Sequence, residues 1–151
     1  MAIAMISCHF CSCIKEKNTF TEAWFLNATS HQIDVVAYSN GGNNSAVSFS
    51  LQPHESKWID TYNQRGLTPG MSFGLTNYLN DSFVVIFDDQ YAITHYKVNL
   101  TGNNPKSYGS GSHRNLYNDS SYEQLLENQT KHSRHFRFTY TFRESDFLDA
   151  Q

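Results

Sequence analysis

The chain has 151 residues, a formal net charge of −3 and only 17% charged side chains, against 15% aromatic ones. That length suits one domain with a core of its own, and the charge balance, with no long Lys/Arg run, argues against nucleic acid as a partner. No stretch of 18 or more apolar residues exists, which excludes a membrane-spanning helix.

The first residues, Met1-Ala2-Ile3-Ala4-Met5-Ile6-Ser7-Cys8, are apolar and give way to polar Lys15-Glu16-Lys17-Asn18. No basic residue precedes Cys8 and the apolar run is short, so this is not a whole signal peptide. It has the form of the end of one. Met5-Ile6-Ser7-Cys8 resembles an incomplete bacterial lipobox, with a small residue ahead of the cleavage point and a thiol to accept diacylglycerol. The expectation is a truncated signal and tether over 1–19, lipidated at Cys8, and one β-rich domain over 20–151. All three cysteines lie in Cys8-His9-Phe10-Cys11-Ser12-Cys13. Thiolates and imidazole also suit zinc or copper(I), but a structural zinc site draws on two separated pairs, so no metal is assigned.

Phe20–Ala28 reads as a strand. His31–Ser39 follows, with Ile33, Val35 and Ala37 on one face. Asn40-Gly41-Gly42-Asn43-Asn44 is a turn, since Gly and Asn tolerate positive φ. Ala46–Gln52 alternates strictly, Val47, Phe49 and Leu51 against Ser48 and Ser50, and completes a hairpin. Ser56–Tyr62 is a strand, Asn63–Gly70 a loop, and Phe73 and Leu75 mark a short strand. Ser82–Phe87 is apolar on both faces and therefore central; Asp88-Asp89-Gln90 turns it into Tyr91–Val98. Asn99–Asn118 is a long Gly/Ser/Asn-rich loop, the segment expected to be most mobile. Ser120-Ser121-Tyr122-Glu123 has the form of a capping box, and Tyr122, Leu125 and Leu126 follow at helical spacing, predicting a helix over Ser120–Thr130. Lys131–Arg137 leads into the cleanest strand, in which Phe136, Phe138, Tyr140 and Phe142 alternate with Arg137, Thr139, Thr141 and Arg143. Ser145–Ala150 adds a helical turn.

These elements predict a mainly β fold: an antiparallel β-sandwich, immunoglobulin-like in one version, with one short helix before the last strand. The alternative is a single curved sheet with a helix across it.

No linear catalytic signature is present. Tyr108-Gly109-Ser110-Gly111-Ser112-His113 lacks the strand-to-helix frame of a nucleophile elbow. No phosphate loop, no His-Glu-x-x-His and no EF-hand series occurs. Asp81, Asp88 and Asp89 flank a hairpin and read as turn carboxylates rather than calcium ligands. Asn-x-Ser/Thr occurs at Asn27, Asn43, Asn80, Asn99, Asn118 and Asn128. These triplets are glycosylation acceptors in a eukaryotic secretory path, or turn chemistry, the favoured reading. No catalytic, cofactor or metal residue is assigned. If the chain is an enzyme, its groups converge only in the fold, from His95, Asp88 and His113.

Three stretches carry a resemblance. Phe83-Val84-Val85-Ile86-Phe87-Asp88-Asp89 leading to Ile93-Thr94-His95-Tyr96, then Arg114-Asn115-Leu116-Tyr117, then Phe138–Phe147 with Ala150, resemble small uncharacterised cell-envelope lipoproteins of Bacteroides-type Gram-negative bacteria. Arg143 and Ser145 depart from the acidic residues of that pattern. The resemblance implies a membrane contact through a lipid anchor and no known activity. The expected function is a non-enzymatic binding or accessory module for a protein or glycan, or a module docking through a strand edge.

Overall fold

The computed structural model describes residues 17–39, 42–45, 47–66, 81–98 and 106–151. In chain order they form β1 (Asn18–Asn27), β2 (Ile33–Ser39), β3 (Gly42–Asn43), β4 (Phe49–Leu51), β5 (Ser56–Arg65), β6 (Ser82–Phe87), β7 (Tyr91–Tyr96), β8 (Ser107–Tyr108), a 3₁₀ turn (Asp119–Ser121), β9 (Glu123–Gln129), β10 (Ser133–Phe142) and α1 (Glu144–Ala150). One sheet has the order β5-β1-β10-β9; the other runs β3-β2-β6-β7-β8, with β4 also on β2. The two pack together as a sandwich.

Side-chain alternation builds the interface between them. Thr19, Thr21, Ala23, Phe25 and Asn27 of β1 face inward, as do Phe136, Phe138, Tyr140 and Phe142 of β10. Ile33, Val35 and Ala37 of β2 and Phe83, Val85 and Phe87 of β6 meet them from the opposite sheet. The aromatic rings interdigitate: Phe25 lies 4.9 Å from Phe49, and Tyr140 lies 4.9 Å from Phe142 and 5.4 Å from Tyr122. β6 is central, between β2 and β7.

The β6–β7 connection is three residues, Asp88-Asp89-Gln90, in which Asp88 (φ 50°) and Asp89 (φ 56°) are both left-handed, and the Gln90 N–H donates to the Phe87 carbonyl at 3.0 Å. This type I′ geometry matches the twist of the strands but normally favours Asn-Gly. Asp88 gains compensating contacts, accepting from the Gln32 N–H (2.9 Å) and meeting His31 Nδ1 (2.5 Å).

Three expectations need correction. Residues 120–130 are not a helix. Asn118 takes the Ser120 N–H and hydroxyl on its side-chain oxygen, closing one 3₁₀ turn, and Tyr122 leaves that turn with extended backbone. Glu123–Gln129 then pairs with the open edge of β10, through a tip where Thr130 N–H donates to Ser133 O and Ser133 N–H to Thr130 Oγ1. A ladder of backbone hydrogen bonds on a ten-residue neighbour outweighs a short run at helical spacing. The helix therefore lies after the last strand, at Glu144–Ala150, where the terminal turn was expected. Pairing is also not wholly antiparallel: β1 and β10 run parallel in register from Asn18↔Ser133 to Asn27↔Phe142, and β7 and β8 pair in parallel. Parallel neighbours need a long crossover, and between β1 and β10 almost the whole chain supplies it. Finally, residues 106–118 are not loose loop: Asn115 and Leu116 are buried. The short strand at Phe73 and Leu75 lies outside the described residues.

Candidate functional site

His95, Asp88 and His113 do not converge. His95 is buried on β7, where its Nδ1 accepts the Leu116 N–H at 3.1 Å and its ring meets Tyr108 edge-on. Burial, with the Arg114 charge nearby, lowers its pKa to about 3 and keeps the imidazole neutral. Asp88 is at the surface in the β6–β7 turn; the His31 hydrogen bond chiefly lowers its pKa. His113 Nδ1 lies 3.1 Å from Ser120 Oγ. Among the described residues, no three His, Cys, Asp or Glu side chains are arranged to ligate a metal ion. Cys8, His9, Cys11 and Cys13 lie outside the described residues.

Residues from Ile93–Tyr96, Arg114–Tyr117 and Phe138–Ala150 meet in a polar network. Asp146, 2% exposed, accepts from Arg114 Nε at 2.9 Å, from Arg114 Nη2, and from the Arg143 N–H at 2.8 Å. Arg114 Nη2 also donates to the Thr141 carbonyl (2.8 Å), and the guanidinium lies 4.8 Å over the Tyr140 ring. Tyr140 Oη donates back to the Arg114 carbonyl at 2.7 Å, and Tyr108 Oη donates to Asp149 at 2.6 Å. Burial pushes both phenols up, so they remain donors. The Asn115 amide donates to the Tyr96 and Tyr108 carbonyls, both at 2.8 Å. The network thus binds β7, β8, the loop after it, β10 and α1 to one another. Its chemistry is that of a clamp, because its charged pair is consumed holding backbone and helix.

A second clamp was legible only as an Asn-x-Thr triplet. Asn27 is wholly buried; its amide donates to the His31 (2.7 Å) and Gln52 (3.0 Å) carbonyls and its oxygen accepts the Thr29 N–H (3.0 Å) and hydroxyl (2.7 Å). In the folded domain this nitrogen is committed and enclosed, and Asn118 is likewise spent on its own turn. Asn27→Ala removes four hydrogen bonds made from a wholly buried side chain and leaves the buried Thr29 N–H without its acceptor; it is expected to lower stability by about 1–3 kcal/mol, read from urea unfolding.

A concave feature of the described surface is an open groove of about 460 Å³ on the outer face of the second sheet. Val36 of β2 and Ile86 of β6 line it with Asp34, Asp89, Ser45, Ser48 and Ser50. Ser50 Oγ donates to Asp34, whose other oxygen lies 3.5 Å from Gln32 Nε2. Among the described residues that line it none is basic and none is histidine, and the Ser50 hydroxyl is held by the Asp34 carboxylate. The groove offers hydroxyls, carboxylates and an apolar floor: groups that bind.

The outer face of the first sheet shows that the aromatic surplus is not all core. Trp24 lies under the Arg137 guanidinium at 4.6 Å, Phe20 stacks on His135 at 4.6 Å, and Trp58, paired across from Trp24, is 52% exposed.

Among the described residues the fold and these surfaces define a β-sandwich with two internal polar clamps and an outward groove. Comparison with protein-family models, curated proteins and solved structures finds no match.

Proposed function

We propose that this chain is a non-enzymatic binding or accessory module, held at the bacterial cell envelope by lipid on Cys8. The groove carries the reading: it is a ligand-sized concavity of about 460 Å³ that offers hydroxyls and carboxylates beside an apolar floor, while His95 and His113 are hydrogen-bonded elsewhere. Placement supports it as well. β1 starts at Asn18, ten positions after Cys8, beside Arg65 and Ser133. Ten residues of strand span about 33 Å, and at the far end Asn27 bonds to the loops preceding β2 and β5. Asp34, Ser50 and Asp89 lie near that far end, so the groove opens at the end of β1 opposite to the one the tether would join. The ligand is a protein or glycan segment carried by the envelope; nucleic acid fits neither the net charge nor the acidic lining.

Expressed from its complete gene in a Gram-negative host, the protein is expected in the membrane fraction with diacylglycerol on Cys8, and Cys8→Ala in the soluble fraction. An unmodified Cys8 and identical partition of the two forms overturn the tether.

The strand-edge reading is favoured by a separate observation, the exposure of all of β9.

A further inference from the structure

We infer that the groove on the second sheet binds a peptide segment that sets a lysine or arginine side chain against Asp34 and Asp89 and a neighbouring apolar side chain on Val36 and Ile86. The inference rests on the groove being the ligand site and names the chemistry of its occupant. Strand register builds the surface. Residues paired across neighbouring strands present their side chains on one face. Ser50, Asp34, Ile86 and Ala92 therefore form one row across β4, β2, β6 and β7, and Val36, Val84 and Thr94 form the next. Asp34 and Val36 alternate with buried residues of β2, and Val84 and Ile86 with buried residues of β6, so all four face away from the core. Asp89 joins them from the β6–β7 turn.

Charge selects the occupant. Asp34 receives neutral donors, the Ser50 hydroxyl and the Gln32 amide, and Asp89 is exposed. Among the described residues that line the groove none is cationic. Lys97 follows β7 at the end away from the turn, and Lys106 meets β7 through its carbonyl, which accepts the Thr94 N–H at 3.0 Å. Two carboxylates beside an apolar floor attract a positive charge. A metal ion needs more ligands, and among the described residues no third His, Cys, Asp or Glu completes a set. A sugar gains from a flat ring to stack on, and the one aromatic among these lining residues, Phe49, packs on Phe25 at 4.9 Å. A lysine or arginine satisfies both halves of the groove, because its stem covers apolar surface while its head reaches the carboxylates.

The test titrates the isotope-labelled whole chain with a short capped peptide of alternating valine and lysine, followed by amide NMR. The Val36, Ser50 and Ile86 amides are expected to shift, with an affinity that falls as salt rises. Glutamine in place of each lysine is expected to weaken binding about tenfold or more, and Asp34→Asn/Asp89→Asn to do the same from the protein side. That double variant keeps an acceptor for Ser50 and puts asparagine at a left-handed position (φ 56°), so its urea midpoint holds. Glu123→Gln, which removes a charge from the other sheet, leaves the affinity unchanged. Equal affinity for the lysine and glutamine peptides, or an affinity indifferent to the double variant, overturns the inference. Shifts of the groove amides by maltohexaose and not by the lysine peptide overturn it while leaving a binding groove; no shift there with either probe overturns both.

Discussion

Replacing Arg114 by leucine is expected to reduce the unfolding free energy by about 3–5 kcal/mol, a large part of the roughly 5–15 kcal/mol of a typical domain. The reason is the partner left behind. Asp146 is almost wholly buried and takes two hydrogen bonds from the Arg114 guanidinium. Without that cation a carboxylate stands uncompensated in a low-dielectric setting, and the Thr141 carbonyl loses its donor as well. Asp146 also holds the Arg143 N–H, so α1 should loosen along with it. The double variant Arg114→Leu/Asp146→Asn removes the stranded charge while keeping an acceptor at the helix start, and is expected to recover part of the loss. Urea unfolding of the three forms measures this. A loss below about 1 kcal/mol in Arg114→Leu would mean that water reaches Asp146 and that the clamp is dispensable.

Acid should weaken the fold well before the carboxylates titrate. Folded His95 has a pKa near 3, against 6.5 ordinarily. Between those values the unfolded chain binds a proton that the folded chain does not. Stability therefore falls as pH drops below about 6.5, approaching about 1.4 kcal/mol per pH unit, and this loss levels off near pH 3. Protonation of Nδ1 would also remove the acceptor for the Leu116 N–H. Asp88 acts lower: its depressed pKa contributes stability that is present above the ordinary carboxylate value of 3.8 and lost as pH falls below it. Between about pH 6 and 4 burial of Asp119, which raises its carboxyl above 3.8, works in the opposite direction, so the difference between the native chain and a His95 variant, rather than the slope alone, reports His95. His95→Gln, which cannot take up a proton there, is expected to lower stability at pH 7 and flatten the dependence over that interval. Urea midpoints that fall equally in both proteins would assign the acid sensitivity elsewhere.

Period-two alternation in the sequence marks β2 and β10, because facing a core on one side imposes that pattern on the chain itself, and β6 was legible instead as a short run apolar on both faces. The β6–β7 turn was legible at Asp88-Asp89-Gln90, and α1 at 145–150, for similarly local reasons. The antiparallel pairing of β2 with β4 followed from the flanking alternation, although β4 keeps only Phe49–Leu51 of the seven residues expected. The lipobox-like Met5–Cys8 is also a reading of the sequence, and it is the whole basis for the tether.

Tertiary structure decided the rest. Tyr122, Leu125 and Leu126 have helical spacing, yet Tyr122 enters the core, where its hydroxyl reaches the Leu116 carbonyl, and both leucines ride on an edge strand. Nothing local announces that β10 leaves an edge for them to join. Arg114 and Asp146 stand 32 residues apart, and Asn27 meets Gln52 across 25. Such pairings become visible only when strands distant in sequence are set side by side. The groove arises in the same way, from Asp34, Ser50 and Ile86 on three neighbouring strands and Asp89 in a turn. The single β-rich domain is thus written in the chain's periodicity, which each strand carries alone. Its clamps, its groove and its open edge depend on long-range register, which no single strand contains.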